Sequence, residues 1–451
     1  MGIPITAMGA QMSPGLAQLR AKLSMKAKQE PNFKFYTLYS HLLRMDVLNT
    51  AWEQVLRNGG AAGYDGVTLE QIESSAEGVL GFLNRIRESL MSKTYQADPI
   101  RRVYIPKNDG KLRPLGIPTV KDRVVQAALR LVIEPIFEAD FLDCSYGFRP
   151  EKSAHQAIDA IVAATQAGQR EIYDADMEKY FDSIPHDKLL KAIQMRVVDQ
   201  RVMTLIKMWI EAPIYEEGKP MKRNEQGTAQ GEVISPLLSN IYLHWFDKLF
   251  HTRQGPGTWA KATIIRYADD FVIMAKYITP KVQAWIEKEL EGRFCLKINK
   301  EKTRIVRLEE EGSSINFLGF AMRWIGRPQI RPMEKSVKRA RARIRELSDP
   351  KHGYMPIKDV IDSVNKFLKG WGAYFNKGTP SKAFQKINWY AEQRLVHFLQ
   401  RRSQRGYKRG RQNWHEVLKK LGLFTLTRRA FVRNQCDGYV KAVCGKSART
   451  V

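Results

Sequence analysis

Two groups of aspartates, 93 residues apart in the chain, have the clearest chemical potential in this sequence. Asp176 lies in the run EIYDADM at residues 171–177, and Asp269 and Asp270 lie in the run IIRYADDFVIM at residues 264–274. Both runs are apolar and rich in β-forming residues, where carboxylates are uncommon. Carboxylates brought together at one sheet edge can hold two divalent cations, which clamp the attacking and leaving oxygens of a phosphoryl displacement. Mg²⁺ suits such a site because it takes oxygen ligands and shares substrate phosphates.

The elements that must position these aspartates follow from alternation and turns. Along the first run, Asp174 and Asp176 fall on one face of a strand, while Tyr173, Ala175 and Met177 fall on the other. In the second run, two apolar arms flank the Asp-Asp pair, which predicts a tight β-hairpin with the acids at its turn. We therefore expect two strands that carry acids at one edge of a sheet.

Composition limits the class of protein. The chain has 451 residues, of which 43% are hydrophobic, and can form more than one cored unit. No run of 18 apolar residues occurs, so no membrane partner is expected, and the first residues lack the charged-then-apolar plan of a signal peptide. The four cysteines are scattered, which favours a reducing cytoplasm over a disulfide framework. Cys436 and Cys444 lack the matching Cys or His pair that a zinc site needs.

Positive charge is concentrated in the last third of the chain. The formal net charge is +27, and residues 321–451 hold 31 Lys and Arg against 8 Asp and Glu. This imbalance predicts a polyanionic partner bound largely through its phosphates. A solvated charged face is the alternative, but such faces usually interleave acids, which are scarce here. Apolar periodicity predicts three helices in this region, at residues 334–347, 357–376 and 384–401.

Tyr267–Asp270 (YADD) and three segments before it form an ordered set of motifs. The earlier segments are residues 103–117, 145–150 and 227–242. Together they resemble the motifs of reverse transcriptases encoded by bacterial group II introns, and the resemblance spans roughly residues 33–430. It implies an α+β right-hand polymerase with fingers, a palm with an antiparallel sheet, a helical thumb, and a small basic C-terminal helical region.

The resemblance divides the chain into four expected regions. Residues 1–75 are an N-terminal extension, and residues 76–320 are the reverse transcriptase fingers and palm. Residues 330–400 are a three-helix thumb or maturase-associated domain, and residues 401–451 are a basic region that binds RNA or DNA. Gly370–Phe375 resembles the maturase-associated motif, and we expect its aromatic side chains to pack in the thumb core.

Three cations are expected to bind the phosphates of the incoming nucleotide. Residues 103–117 predict a hairpin with an Asn-Asp-Gly turn, and Lys107 and Arg113 lie on opposite arms near that turn. The resemblance implies that both contact the triphosphate, although exposed cations are common in hairpins and the residues alone leave this open. Lys302 matches a family position near the same phosphates. After the hairpin, Asp122 is expected to cap a long helix.

The resemblance also implies contacts to the sugar and the base. Phe181 lies five residues after Asp176, a spacing that in this family places a bulky ring against the nucleotide sugar. Such a ring selects deoxynucleotides because it clashes with a ribose 2′-OH, whereas the alternative is an ordinary core phenylalanine. Gln230 and Gly231 form a turn that in this family packs against the nucleotide and the template base. A capped core helix starting near Ser235 is the alternative for that segment.

The function implied is that of an RNA-directed DNA polymerase that uses two Mg²⁺ ions and dNTP substrates and also assists the splicing and mobility of its host intron RNA. Asp176, Asp269 and Asp270 are the expected metal ligands and catalytic residues. The implied partners are structured intron RNA, an RNA template with its primer, and a DNA target, in the cytoplasm of a bacterium; the oligomeric state is open. The paired Cys and His-Asn-His patterns of the family's endonuclease domain do not occur, so cleavage of a target strand is not expected.

Two other functions stay open at this point. One is an RNA-binding maturase, a splicing factor whose polymerase activity is dispensable. The other is a related reverse transcriptase used in antiviral defence. The intact acidic residues and Phe181 favour a working polymerase, because a pure binding protein need not keep a costly carboxylate cluster.

Overall fold

The computed structural model describes residues 12–106, 110, 112–402 and 413–432. Lys107, and residues 403–412 and 433–451 of the expected basic region, lie outside the described residues. By its internal contacts the chain divides into two compact units. The first contains Met1–Ala157 and Tyr173–Ile305, and the second contains Ile158–Ile172 and Val306–Val451. The expected division into four functional regions stays a prediction.

Helices predominate in the first 300 residues. They are α1 Pro14–Gln29, α2 Tyr39–Leu42, α3 Met45–Asn58, α4 Leu69–Glu73, α5 Gly78–Met91, α6 Val120–Glu138, α7 Ala154–Gln166, α8 Tyr180–Ser183, α9 His186–Gln194, α10 Gln200–Ile210, α11 Ser235–Phe250, α12 Pro256–Trp259 and α13 Pro280–Glu287, which a π-helical turn at Lys288–Arg293 continues.

Ten strands form three small sheets within the described residues. They are β1 Ile100–Pro106, β2 Leu112–Ile117, β3 Glu171–Ala175, β4 Ile214–Tyr215, β5 Thr263–Tyr267, β6 Asp270–Ala275, β7 Arg304–Arg307, β8 Ile315–Phe317, β9 Phe320–Trp324 and β10 Pro328–Pro332. The strand orders are β2-β1-β4, β5-β6-β3-β7 and β10-β9-β8. This mixture of helices and small sheets, with antiparallel hairpins, confirms the α+β expectation.

The C-terminal part of the described chain is helical. Its helices are α14 Glu334–Leu347, α15 Ile357–Phe375, α16 Ser381–Arg402, α17 Trp414–Lys420 and α18 Arg428–Val432, with a 3-10 turn at Pro350–His352. Helices α14, α15 and α16 pack on one another, which confirms the three helices expected from periodicity. No helix in the described part of the chain combines the length and apolar character needed to cross a membrane.

Helix α6 is the central element of the first unit. Almost all of its side chains are buried, and it packs against α1 and α3. Thr119 is its N-cap, because the Thr119 hydroxyl accepts a hydrogen bond from the backbone N–H of Asp122. The expectation that Asp122 caps this helix is therefore wrong. Asp122 lies inside the first turn, buried, and its carboxylate accepts hydrogen bonds from the Tyr95 hydroxyl and the Asp98 backbone N–H.

Aromatic side chains form the core of the second unit. The Trp371 ring centroid lies 4.8 Å from that of Phe375 and 5.9 Å from that of Phe384. A Cβ at Gly372 would lie 2.4 Å from the Phe431 ring, so this glycine allows the ring to pack closely on α15. The prediction that the aromatic residues of this motif pack among the helices is confirmed.

Candidate active site

The acidic turn lies at the tip of the β5–β6 hairpin. Tyr267 pairs with Asp270 in antiparallel register, so Ala268 and Asp269 form a two-residue turn. Ala268 has φ 58°, a left-handed conformation of the kind that two-residue hairpin turns require at their first central position. The predicted hairpin is confirmed, with one difference. Its central residues are Ala268 and Asp269, and Asp270 is the first residue of β6.

Asp176 comes directly after β3, the strand that neighbours β6 in the sheet. Its backbone is fixed by the segment before β7, because Asn299 donates its N–H to the Asp176 carbonyl at 2.8 Å. The Asp176 N–H in turn donates to the Thr303 hydroxyl at 3.3 Å. The strand order thus places Asp176 near the acidic turn, and its charge acts on both carboxylates there.

Desolvation and neighbouring negative charges raise the pKa of both carboxylates in the acidic turn. Asp270 is in contact with solvent, but the surrounding protein atoms exclude part of its hydration water. This desolvation raises the pKa of Asp270 to about 7, and the negative charges of Asp269, Asp176 and Asp174 add to the rise. Desolvation likewise raises the pKa of Asp269, and Asp176 adds to it, whereas the charge of Arg113 opposes the rise. A bound divalent cation would relieve this repulsion, so the electrostatics fit a metal site.

A lysine already contacts one of the three carboxylates. The Lys302 ammonium lies 3.0 Å from the Asp176 carboxylate. As the described side chains stand, no group of three or more His, Cys, Asp or Glu residues has the geometry to hold a metal ion. The donor set nevertheless fits Mg²⁺, since all three side chains offer carboxylate oxygens. A metal ion at Asp176 would compete with Lys302 for the same oxygens.

The predicted nucleotide-binding turn contacts the β1–β2 hairpin. The Arg113 guanidinium donates to the Gln230 side-chain carbonyl at 2.7 Å, and the Gly116 N–H donates to the Gln230 backbone carbonyl at 2.6 Å. Gly231 has φ 113°, and a Cβ there would lie 2.4 Å from the Gly116 carbonyl oxygen, so glycine is required. Arg113, Gln230 and Gly231 are thus brought together, whereas Lys107 lies outside the described residues.

Phe181 lies on the short helix α8 that follows Asp176. Its side chain is 6% exposed, and its ring stacks edge-on against Tyr180 with centroids 5.3 Å apart. The Thr228 N–H donates to the Phe181 carbonyl at 2.7 Å, which fixes α8 against the segment leading to Gln230. Such burial is expected both of a core ring and of a rigid wall beside a substrate, so the role of Phe181 stays a prediction.

A shallow, open depression lies between the β1–β2 hairpin and the turn at residues 229–231. Its lining residues are Ile100, Arg102, Pro114, Gly116, Asp182, Ile214, Ala229 and Gln230. Two charged residues of this lining, Arg102 and Asp182, were not found from the sequence. Their surrounding residues carry no pattern that distinguishes them from ordinary surface charges.

Sequence reasoning also missed Arg266, which is fully buried beside the acidic turn and pairs with Asp247 at 2.6 Å. The signal was available, because a charged residue in the middle of an apolar strand is uncommon. Its partner could not have been chosen from the sequence.

Comparison with known protein families gives two matches. The reverse transcriptase (RNA-dependent DNA polymerase) family model matches residues 105–322. The model of the group II intron maturase-specific domain matches residues 337–417. The first match contains the acidic turn, Phe181, Gln230 and Lys302, and the second contains most of α14 and all of α15 and α16.

Two curated proteins and one solved structure are among those similar to this chain. Protein YkfC of Escherichia coli (strain K12) is 37% identical over 332 residues, which cover 65% of this chain and 86% of YkfC. The group II intron-encoded protein LtrA of Lactococcus lactis subsp. cremoris is 30% identical over 374 residues, which cover 69% of this chain and 60% of LtrA. Among solved structures, a Candida albicans telomerase in complex with a fragment of telomeric RNA aligns at 13% identity with a TM-score of 0.40, over 77% of this chain and 71% of that chain.

Proposed function

The chain belongs to the family of group II intron-encoded reverse transcriptases with a maturase domain and is an RNA-directed DNA polymerase with a right-hand fold; we propose that its polymerase site is built on Asp176, Asp269 and Asp270. The observation that supports this assignment is the strand order, which puts β3, the strand before Asp176, beside the β5–β6 hairpin that carries Asp269 and Asp270. A divalent cation would relieve the repulsion between carboxylates in such an arrangement. The family implies dependence on a divalent metal, and two Mg²⁺ ions are our proposal for this chain.

The three aspartates have distinct places in the proposed site. When bound, two Mg²⁺ ions would activate the primer 3′-OH and neutralise the pyrophosphate that leaves. Asp176 and Asp269 would hold the ions, and Asp270, at the first position of β6, would support them. Lys302, which contacts Asp176, would contribute positive charge to the nucleotide phosphates. The protein thus contributes position and charge rather than covalent chemistry.

The nucleotide is held by the β1–β2 hairpin and the turn at residues 229–231. Arg113 supplies positive charge to the triphosphate, together with Lys107. Gln230, held by Arg113, and the backbone at Gly231 pack against the nucleotide and the template base. The Phe181 ring closes the sugar side and excludes a ribose 2′-OH. This arrangement is supported by the Arg113–Gln230 hydrogen bond and by the fixed backbone of Phe181.

The basic helices of the second unit bind RNA in this proposal. The maturase family match and the excess of cations both support a surface that contacts phosphates of structured intron RNA and of the template–primer helix. A DNA target is the third partner. The bacterial relatives support a bacterial cytoplasmic location, and the absence of an endonuclease activity in this chain stays an expectation.

A second candidate function is an RNA-binding maturase whose polymerase activity is dispensable. It is favoured by the concentration of positive charge in the last third of the chain, which would serve RNA binding without any polymerisation. The third possibility, a reverse transcriptase used in antiviral defence, is disfavoured by the match to a maturase-specific domain and by the likeness to LtrA.

Primer extension on an RNA template distinguishes the first two candidates. Purified protein is supplied with Mg²⁺ and with dNTPs or NTPs, beside Asp269→Asn and the control Asp143→Asn, an exposed aspartate that pairs with Lys152. We expect DNA product from the wild type and from the control, and at least about a thousandfold less from Asp269→Asn, because several kcal/mol of metal-based stabilisation is lost. Tight RNA binding without product in the wild type would favour the second candidate.

A further inference from the structure

Arg266 is a fully buried cation in the strand that leads into the acidic turn. Its side chain and that of Asp247 on helix α11 are both 0% exposed. The Arg266 Nε lies 3.0 Å and 3.1 Å from the two Asp247 carboxylate oxygens, and Nη2 lies 2.6 Å from one of them. A buried ion pair is a poor source of stability, since apolar residues of similar volume often stabilise a fold as well. Its presence therefore calls for another account.

The third nitrogen of the guanidinium contacts the acidic turn itself. Nη1 of Arg266 donates to the Ala268 backbone carbonyl at 2.9 Å and to the Asn240 side-chain carbonyl at 2.9 Å. Ala268 is the residue with positive φ that forms the turn together with Asp269. A non-glycine residue in that conformation is held only where its surroundings over-determine it.

A second contact confines the same turn. Asn240, which accepts from Arg266, donates its side-chain N–H to the Gly147 carbonyl at 2.8 Å. Gly147 packs so closely on the turn that a Cβ there would lie 2.3 Å from the Ala268 nitrogen. Arg266 and Asn240 thus link the strand, helix α11 and the Gly147 segment around one residue of the turn, Ala268.

The backbone of Arg266 is fixed as well. Its N–H donates to the Cys144 carbonyl at 2.8 Å, and its carbonyl accepts from the Tyr146 N–H at 2.8 Å. The guanidinium therefore projects from an anchored strand position onto an anchored helix. Between these two supports it has little freedom, and the Ala268 carbonyl is held at a defined place.

We propose that Arg266, oriented by Asp247 and Asn240, is a positioning residue that fixes the turn so that Asp269 and Asp270 present their carboxylates to the metal ions. The inference rests on the proposed function, because it takes both aspartates to be metal ligands. Groups that orient metal ligands commonly contribute 10- to 100-fold to metal affinity or activity. Lysine cannot replace Arg266, since one ammonium cannot reach Asp247, Asn240 and Ala268 at the same time.

The chain offers a matched control in Arg196. Its side chain belongs to the same unit and is 5% exposed; it pairs with Asp140 at 3.1 Å and donates to the backbone carbonyls of Glu30 and Ala27. It has no contact with the acidic turn among those described for it. Arg266→Lys and Arg196→Lys therefore each replace a buried guanidinium group with an ammonium group, but only Arg266→Lys should affect the turn.

The test measures binding of Mn²⁺ alone by electron paramagnetic resonance, below the melting temperature of every variant. We expect the dissociation constant of Mn²⁺ to rise about 10- to 100-fold in Arg266→Lys and to stay within about twofold in Arg196→Lys. In primer extension, Arg266→Lys should need correspondingly more Mg²⁺ and show a lower kcat, with an unchanged KM for the template–primer. Asn240→Ser, which keeps the ion pair, should shift Mn²⁺ binding in the same direction by a smaller factor.

Equal Mn²⁺ binding in wild type, Arg266→Lys and Arg196→Lys would overturn the inference, and so would equal weakening in the two lysine variants. If Arg266→Lys does not fold, Asn240→Ser decides by the same criterion. Asp269→Asn separates this failure from failure of the proposed function. If Asp269→Asn still binds Mn²⁺ and extends primers normally, the assignment of the metal ligands is wrong; if it does neither while Arg266→Lys behaves as wild type, only the role of Arg266 is wrong.

Discussion

The acidic turn at residues 267–270 and helix α14 both concentrate charge of one sign, but they hold it in opposite ways. At the turn, a few carboxylates lie close together and are fixed by a buried arginine and by tight backbone contacts. On α14, one face is buried and the other faces expose cations to solvent. These exposed cations are Lys335, Lys338, Arg339, Arg341, Arg343 and Arg345.

The difference teaches what each region has to do. Phosphoryl transfer depends on charges placed within a few tenths of an ångström of the reacting atoms, so the turn uses few groups and fixes each of them. Binding a polyanion depends on how many phosphates are neutralised, so exposed side chains with freedom to adapt are sufficient. Removing one charged group should therefore change activity far more near the turn than on α14. The following predictions compare the sizes of these effects.

After the metal ligands themselves, the largest effect is expected from Arg113→Ala. Arg113 is close enough to the turn for its charge to oppose the rise in the pKa of Asp269, and it donates a hydrogen bond to Gln230. Loss of a charge aimed at the triphosphate should lower kcat/KM for a dNTP by about 100- to 1,000-fold, with affinity for RNA unchanged. Single-nucleotide incorporation measures this, and Arg113→Lys should recover part of the loss. A decrease in kcat/KM of less than about threefold would show that Arg113 does not contribute to nucleotide binding or catalysis.

The next effect concerns a buried carboxyl beside the nucleotide-binding turn. Burial raises the pKa of Glu232 to about 7, although Ser235 and Gln126 donate hydrogen bonds to it. The folded state therefore disfavours the charged form, so the free energy of unfolding falls as pH rises from the ordinary carboxyl value towards 7. Between pH 5 and pH 8 this group should cost roughly 2 to 3 kcal/mol.

Urea unfolding of Glu232→Gln at the two pH values measures that cost. The variant should gain roughly 2 to 3 kcal/mol on the wild type between pH 5 and pH 8, because its amide does not ionise. Glu88→Gln, a substitution at an exposed helix position, should follow the wild type at both values. Parallel curves for the wild type and Glu232→Gln would show that Glu232 is not buried in its neutral form.

Phe181→Val tests whether the site around the acidic turn also selects deoxynucleotides by steric exclusion. Removing the ring should lower the preference for dTTP over UTP in kcat/KM by roughly 10- to 100-fold, since a steric contact of this size discriminates to that extent. Phe35→Val is the matched control, because Phe35 is also 6% exposed and its ring packs against Phe33 at 5.0 Å. An equal loss of selectivity in both variants would make Phe181 an ordinary core residue.

Much of this architecture followed from the sequence because it depends on local pattern. Periodicity predicted a basic helix at residues 334–347 and an amphipathic one at residues 357–376, and the structure has them at Glu334–Leu347 and Ile357–Phe375. Alternation around Asp269 and Asp270 predicted the hairpin, since β-strand pairing about a two-residue turn is also local.

The misses share a different cause. Asp122 has the chemistry of a helix cap, but the free energy of placing it against Tyr95 inside the core decided its position, and Thr119 took the cap. Arg266 stands out in its strand, yet Asp247 and Asn240 are its partners only because helix α11 packs behind that strand. Such choices depend on tertiary contacts, which no local pattern encodes.

The smallest effect is expected from Lys338→Gln on helix α14. Lys338 is exposed on α14, and loss of one phosphate contact should lower RNA affinity by up to about tenfold at 0.1 M salt and reduce the slope of log K against log salt by about 1. The kcat for a bound template–primer should not change, because the charge does not act on the reacting atoms.

Fluorescence anisotropy with a structured RNA at several salt concentrations, beside single-turnover extension, measures both quantities for Lys338→Gln. Lys191→Gln, at an exposed position of α9, should leave affinity and slope as they are. If Lys338→Gln instead lowered kcat as strongly as Arg113→Ala does, α14 would take part in catalysis. The proposed contrast between fixed catalytic charges near the turn and exposed RNA-binding charges on α14 would then be wrong. A loss of RNA affinity seen only at low salt would mean that Lys338 attracts RNA by long-range electrostatics and makes no direct contact with a phosphate. Salt at 0.1 M screens electrostatic attraction beyond about 10 Å.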